Sequence, residues 1–327
     1  MKLSLQDATD RVAAAFERRG CSTAVARSVA RALVVAEADG LKGHGLSRIP
    51  TYLAMLATGK VDGKAMPLMR KTAPGVLGID AADGYAYPAI DLALGALPAL
   101  VRSQGVAAAA IRRSNHCGVA GHHAETLARD GLVALLFANA PAAIAPWGGR
   151  APVFGTNPIA FAAPLEGAEP IVVDLSVSKV ARGNILAAKQ RNQPIPEGWA
   201  LDTEGNATTD PAAALAGTMI PFGDAKGAAL ALMVEILSAC LVGANLSAEA
   251  TNFFDGEGPP PGVGQLIVAF NPTAFGHDGF GARMAMLAQI VLGQEGVRLP
   301  GARRVALRRR AQEQGLEIPP EIADALG

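Results

Sequence analysis

Val106-Ala107-Ala108-Ala109-Ala110-Ile111-Arg112-Arg113-Ser114-Asn115-His116-Cys117-Gly118 is the stretch on which the fold turns. Val106 to Arg112 reads as a strand, apolar through its first six positions. A Rossmann turn would place GxGxxG after such a strand, so that helix amides meet a pyrophosphate. This strand instead runs into a polar loop, and no other strand is followed by that pattern. GxxxxGK[ST], HExxH and GxSxG are also absent, which removes the P-loop reading and the simplest metalloprotease and α/β-hydrolase readings.

Outward from that loop, Leu132 to Ala138, Ile159 to Ala163, Ile171 to Asp174 and Gln265 to Phe270 are further short β-rich runs. Pro146-Trp147-Gly148-Gly149 and Gly155-Thr156-Asn157-Pro158 separate the central ones as ligand-facing loops. Ile79 to Tyr87 reads as strand and turn, Ile90 to Gln104 as a helix, Gly198 to Asn206 as a tight turn, and Gly227 to Val242 as a strongly apolar helix. Residues 4 to 38 show helical spacing in two segments broken at Gly20-Cys21-Ser22-Thr23, where Ser22 or Thr23 can cap the second. Ile49-Pro50 reads as a break and Tyr52 to Ala57 as a short helix. Arg283 to Leu292 and the arginine-rich Arg303 to Gln312 read as closing helices.

The two N-terminal helices deliver Asp39-Gly40-Leu41-Lys42-Gly43-His44-Gly45-Leu46-Ser47-Arg48. Small neighbours let a ligand approach the His44 imidazole, a proton-transfer group, and Arg48 carries a guanidinium fork suited to a carboxylate. The chain has 327 residues, 50% hydrophobic and 18% charged, with 29 basic against 29 acidic side chains, so it carries no electrostatic footprint for nucleic acid. Cys21, Cys117 and Cys240 are widely spaced and form no CxxC pair, which argues against a disulfide framework or structural zinc. The first residues lack the apolar core of a signal peptide, and Ala228 to Val242 contains Glu235 and is too short for a bilayer span. A cytoplasmic enzyme with no membrane partner is the expectation.

His-Gly-x-x-Arg at 44–48, Ser114-Asn115-His116, Ala145 to Arg150, Gly155 to Pro158, Pro196 to Trp199, Thr209-Asp210-Pro211, Lys226-Gly227 and Leu299-Pro300-Gly301 occur in order. With them the chain resembles the malate/L-lactate dehydrogenase family of non-Rossmann NAD(P)-dependent oxidoreductases. Within it, Glu37 to Gly40, Arg48-Ile49-Pro50, Glu257 to Pro261 and Gly264-Gln265 are most similar to Δ1-piperideine-2-carboxylate/Δ1-pyrroline-2-carboxylate reductases. The resemblance implies an α/β fold: a cofactor domain with a largely antiparallel sheet flanked by helices, packed on a helical domain formed by both chain ends. The expected boundaries are 1–75 with 285–327 for the helical domain and 76–284 for the NAD(P)-binding and substrate domain, with a possible subdivision near 115. A homodimer is implied as well.

The resemblance also implies site residues. His44 matches the proton donor and His116 a second catalytic or cofactor-contacting histidine, while Arg48 and Thr156 match positions that hold the substrate's carboxylate. Expected at the cofactor are His116, Cys117, Gly118, Val119 and Ala120, then Asp174, Leu175 and Ser176, then Lys226 with Gly227, and Gly301 with Arg303 and Arg304. The two arginines suit a 2′-phosphate, which favours NADPH with NADH as the alternative. No metal is expected. The implied reaction is NADPH-dependent reduction of a cyclic 2-imino acid by hydride transfer to C2. Alternatives are an NAD(P)-dependent dehydrogenase of a linear 2-hydroxy acid, such as malate, lactate, sulfolactate or ureidoglycolate, and a catalytically idle cofactor-binding relative.

The chain departs from the ketimine-reductase pattern at Gly43, where those enzymes have Ser, at Asn184, where they have an acidic residue, and at Asp224-Ala225 before Lys226. On composition alone, His122 and His123 read as helix-surface or interface residues, and the run of Arg303, Arg304, Arg308, Arg309 and Arg310 as a solvated face.

Overall fold

The computed structural model describes residues 1–326, with Asp324 described by its backbone alone. At its centre lies a seven-stranded sheet in the order Leu68–Ala73, Val76–Asp80, Val106–Ser114, Val263–Phe270, Val133–Ala138, Ile159–Ala163, Ile171–Leu175. Val76–Asp80 and Val106–Ser114 run parallel, and every other neighbouring pair is antiparallel. A parallel pair needs a long crossover, and the helix Ala86–Gln104 supplies it. The fold is therefore mixed α/β with a largely antiparallel sheet.

Alanine decides how closely the layers approach. Ala107, Ala109 and Ile111 meet Ala89, Ile90, Ala93 and Leu97 of the crossover helix and Ala120, Ala124 and Leu127 of the helix Ala120–Arg129 in one buried cluster. On the opposite face Phe137 and Leu266 pack with Val234 and Val242. A third cluster, with Ile144, Phe154, Val177, Ile185 and Met219, surrounds a small sheet in which Ala200–Leu201 pairs with both Ala207–Thr208 and Thr218–Met219.

Helices Leu5–Arg18 and Thr23–Ala38 form the layer that carries the His44 loop, with Ser4 and Ser22 accepting from the amides of Asp7 and Val25 as N-caps. Their shared core, including Val12, Phe16, Val29 and Leu33, also takes in Ala311, Ile318, Ile322 and Leu326 from far along the chain. Strand Lys2–Leu3 pairs with Leu316–Glu317, so the first and last strands close on each other.

Several boundaries differ from the sequence reading. Pro50 opens the helix Ile49–Thr58 rather than breaking the chain, because proline's fixed φ suits the first helical turn. The apolar helix ends as α-helix at Glu235 and continues as one π-helical turn, Ile236–Cys240. Helix Arg182–Gln190 and the exposed strand Leu68–Ala73 have no counterpart in the sequence reading, and helix Ala120–Arg129 has none beyond the placing of His122 and His123 on a helix surface or interface. That strand pairs with Val76–Asp80, so residue 75 lies inside a hairpin, and 285 lies inside the helix Phe280–Leu292. No described helix is long and apolar enough to cross a membrane.

Candidate active site

A cavity of about 1000 Å³ lies between the sheet, the His44 loop and the segment 298–307. The two glycines around His44 have different reasons. A Cβ on Gly45 would collide with the Glu37 side chain, whose Oε2 accepts the Leu46 amide at 3.0 Å and so fixes the turn. A Cβ on Gly43 would meet nothing within 4 Å. Gly45 is thus required by packing, whereas Gly43 leaves room beside the imidazole.

Arg48 is 9% exposed. Its Nε donates to the Gly43 carbonyl at 2.8 Å, its Nη1 to the Phe253 carbonyl at 3.4 Å, and its guanidinium carbon stands 4.5 Å from the Phe254 ring centre. No described carboxylate lies within ion-pair distance of it. A second cavity arginine, Arg182, donates only to the Ala142 carbonyl at 3.4 Å and likewise has no described carboxylate partner. Burial pulls both guanidinium groups below their ordinary pKa. A buried cation without a counter-ion is costly unless an anion arrives.

His44 stands against His116, with Nδ1 of the first 3.2 Å from Nε2 of the second. Nδ1 of His116 is 2.6 Å from the Tyr52 hydroxyl, which is 3.0 Å from the Tyr87 hydroxyl. Burial, and then Arg48 and His122, lower His44 to about 4, and burial with Arg48 and His44 holds His116 well below the usual histidine range. Both imidazoles are therefore neutral at pH 7. Burial pushes Tyr52 up to about 12.

The loop Asn115 to Val119 leaves the strand Val106–Ser114 with Gly118 at φ +68, and a Cβ there would sit 2.6 Å from the Tyr87 hydroxyl. Only glycine combines that backbone with that contact. Asp174 Oδ2 accepts the Gly121 amide at 2.7 Å, tying the following helix to the strand Ile171–Leu175. The Gly155-to-Pro158 loop is anchored from below: Asn157 Nδ2 donates to Glu235 Oε2 at 2.9 Å, and the Ser247 hydroxyl donates to the same oxygen at 2.6 Å. The acid that interrupts the apolar run thus holds the loop that carries Thr156.

The structure brings His44, Arg48, His116, Cys117, Gly118, Val119, Ala120, Thr156, Asp174, Leu175, Ser176, Gly301, Arg303 and Arg304 to one cavity wall, together with Asn184. Lys226 and Gly227 are not among the lining residues. Their turn is fixed instead by pairing of Phe222 with Val177 and of Lys179 with Ile220, which leaves Lys226 exposed, and Gly227 packs on the Phe222 carbonyl.

Two surface expectations are corrected. His122 faces Asp39, with Nε2 and Oδ2 2.8 Å apart, and His123 is buried with Nε2 2.8 Å from the Cys117 carbonyl. Arg308 pairs through Nε and Nη2 with Asp39 at 2.6 and 2.7 Å and through Nη1 with Glu125 at 2.8 Å, and Arg304 Nη2 lies 2.6 Å from Glu125. Arg303, Arg309 and Arg310 are exposed as expected, whereas Arg304 and Arg308 leave the solvated face for acids over 170 residues away in sequence. Sequence reasoning gave no role to Tyr52 or Tyr87, and no local signal marks either.

A family model described as malate/L-lactate dehydrogenase matches residues 3–327. The chain belongs to the malate/L-lactate dehydrogenase family. Members of this oxidoreductase family similar to it differ in substrate. A (2R)-3-sulfolactate dehydrogenase (NADP(+)) of Chromohalobacter salexigens is 52% identical over 324 residues, 99% of this chain and 96% of the relative. A Δ1-pyrroline-2-carboxylate/Δ1-piperideine-2-carboxylate reductase of Pseudomonas putida is 42% identical over 310 residues, 93% and 90% of the two. Among solved structures of the malate/L-lactate dehydrogenase type, a Δ1-piperideine-2-carboxylate reductase from Pseudomonas syringae superposes with a TM-score of 0.95 at 38% identity, covering 100% of this chain and 98% of its own. The sulfolactate dehydrogenase of Methanocaldococcus jannaschii gives 0.90 at 29% identity, covering 100% and 95%.

Proposed function

We propose that the protein uses NADPH to reduce the keto carbon of a small 2-oxo acid bearing a second anionic group, with 3-sulfopyruvate as the type, and oxidises the corresponding 2-hydroxy acid. The observation that carries this reading is the pair of cavity arginines, Arg48 and Arg182, each without a described carboxylate partner. A guanidinium fork matches a carboxylate or a sulfonate, and two forks match two anions. The 52% identity to a sulfolactate dehydrogenase supports the same choice.

A reduced nicotinamide bound here would supply the hydride. The residues fit such a group: about 1000 Å³ reaches the upper end of ligand-site volumes, enough for a dinucleotide and a small acid. The side-chain-free Gly118 and Gly301 in the wall permit close backbone approach. Arg304 is held by Glu125, while Arg303 is exposed on the cavity wall, so Arg303 is the better partner for a 2′-phosphate. Arg48 and Thr156 hold the carboxylate next to C2, and His44 gives the proton to the developing alkoxide, an effect typically worth about 10²–10⁴-fold.

The second reading is a cyclic 2-imino acid as substrate, supported by the Pseudomonas relatives. Asn184 and Arg182 weigh against it, because Arg48 already serves the single carboxylate of an imino acid and a protonated imine nitrogen is stabilised by an anion rather than by a second cation. The deciding assay follows NADPH consumption with 3-sulfopyruvate, pyruvate and Δ1-piperideine-2-carboxylate. Preference for the first, with kcat/KM for it falling about 10²-fold in Arg182→Leu and pyruvate scarcely affected, is expected. Preference for the imine, or an Arg182→Leu variant as good with both oxo acids as the parent, would sink the dianion reading.

A further inference from the structure

Gly43 and Asn184 supply neither a serine hydroxyl nor a carboxylate to the cavity around His44. What the structure places behind it is the chain His44, His116, Tyr52, Tyr87, joined at 3.2, 2.6 and 3.0 Å. We infer that Tyr52 and Tyr87 act as positioning residues that, through His116, set the tautomer of His44 and replace its proton as it is spent. This rests on the reading of His44 as the proton donor.

The polarity of the chain follows from valence alone. The Nδ1 of His44 is occupied by His116, so the nitrogen left for a ligand is Nε2. A neutral imidazole carries one proton, and Nε2–H therefore requires that Nδ1 accept. His116 must then donate from Nε2, which leaves its own Nδ1 as an acceptor. Tyr52 donates to that atom and Tyr87 donates to Tyr52. Each group has one role, and reversing any one reverses all four.

A bound reduced nicotinamide would supply the hydride to C2, and the carbonyl π pair would then come to rest on the substrate oxygen. That oxygen forms its O–H bond with the Nε2 proton of His44. As that N–H bond breaks, the proton on His116 Nε2 passes to His44 Nδ1, the Tyr52 proton to His116 Nδ1, and the Tyr87 proton to Tyr52. Water beside Tyr87 passes on one proton drawn from bulk solvent, the proton that the reduction consumes, and all four groups end neutral with the chain reversed. This reversed state, with a bare Nε2 on His44, is the acceptor needed for oxidation of the hydroxy acid. After product leaves, water in the open cavity restores the Nε2 proton, and the chain shifts back with a proton leaving at Tyr87.

A concerted shift is favoured because no member holds charge easily. Burial opposes charge on all four groups; Arg48 and, at His44, His122 add to this for the histidines, Cys117 adds to it for the tyrosines, where Arg48 offsets it only in part, and no described carboxylate hydrogen-bonds to any of the four. Tyr87 is also in the wall of a second cavity of about 200 Å³, shared with Asp91, His122 and His123, so space for water lies beside the last residue of the chain. Gly118 guards the junction, since any side chain there would displace the Tyr87 hydroxyl.

Three measurements test the relay. In the cofactor-free protein at pH 7, ¹⁵N NMR of the histidines should show His44 and His116 neutral with their protons on Nε2, and Tyr52→Phe should release His116 from that tautomer. In steady-state kinetics Tyr52→Phe should lower kcat about 10²-fold and Tyr87→Phe about tenfold, with KM nearly constant because neither touches substrate. The proton inventory in mixed H₂O and D₂O should be curved in the parent and straight in Tyr52→Phe. Parental tautomers in Tyr52→Phe, or unchanged kcat and inventory in both folded variants, overturn the relay. Should the parent reduce no 2-oxo or 2-imino acid, the functional reading fails while the NMR result still decides the chain.

Discussion

At the scale of single residues, the contrast between Gly43 and Gly45 is the most useful. Gly45 is pinned by Glu37, whereas Gly43 faces open space. A serine at 43 should fold without penalty, within about 0.5 kcal/mol of the parent in urea unfolding. Combined with Asn184→Asp, Gly43→Ser should raise the ratio of kcat/KM for Δ1-piperideine-2-carboxylate over 3-sulfopyruvate about tenfold, because the pair restores a hydroxyl and a carboxylate to the cavity. An unchanged ratio in a folded double variant would show that these positions do not select substrate. The pairing of His44 with Arg48, four residues apart, was legible as a candidate, and both line the cavity. Tyr52 and Tyr87 were not, because their role exists only once three separate segments bring their hydroxyls together.

Among elements, the helix Ala302–Gln314 is where local reading failed most clearly. Its arginines look like a solvated face, yet Arg308 and Arg304 enter a cluster with Asp39, at the end of the helix Thr23–Ala38, and Glu125, on the helix Ala120–Arg129. Burial alone would raise the Glu125 carboxyl, but Arg308, Arg304 and Arg129 bring it down from 4.5 to about 2. A carboxyl depressed on folding stabilises the protein above its unfolded pKa and loses that contribution as pH falls toward the folded value. Glu125 should therefore contribute on the order of 2–3 kcal/mol at neutral pH, vanishing between about pH 4.5 and 2. Glu125→Gln should lower the urea midpoint at pH 7 and flatten its acid limb; a parallel downward shift at every pH would show that packing, not charge, is what the side chain provides. Strands were read within a residue or two wherever β-branched runs marked them. The helix Ala120–Arg129 escaped because its two histidines and its glycine obscure the apolar stripe.

On the scale of the whole molecule, the resemblance read from eight short motifs carried the architecture further than periodicity did. A hydrophobic pattern cannot say which strands pair, nor that residues 302–326 return to the first helical layer. The helix Phe280–Leu292 presents Met286, Leu287, Ile290 and Leu292 at 51%, 52%, 63% and 50% exposure, more apolar surface than one copy has use for. We propose that it lies in a homodimer contact. Light scattering should then give twice 33.4 kDa, and Ile290→Asp should shift the population toward monomer; a monomeric parent at micromolar concentration would remove the proposal. A different consequence follows from the pairing of Lys2–Leu3 with Leu316–Glu317. Synthesis runs from the N-terminus, so the helices that present His44 leave the ribosome long before Ala311, Ile318 and Ile322 exist to cover them. Until those later residues emerge, Val12, Phe16, Val29 and Leu33 lack part of the core they share with them, so that layer stays exposed and open to chaperones while the sheet between is being made.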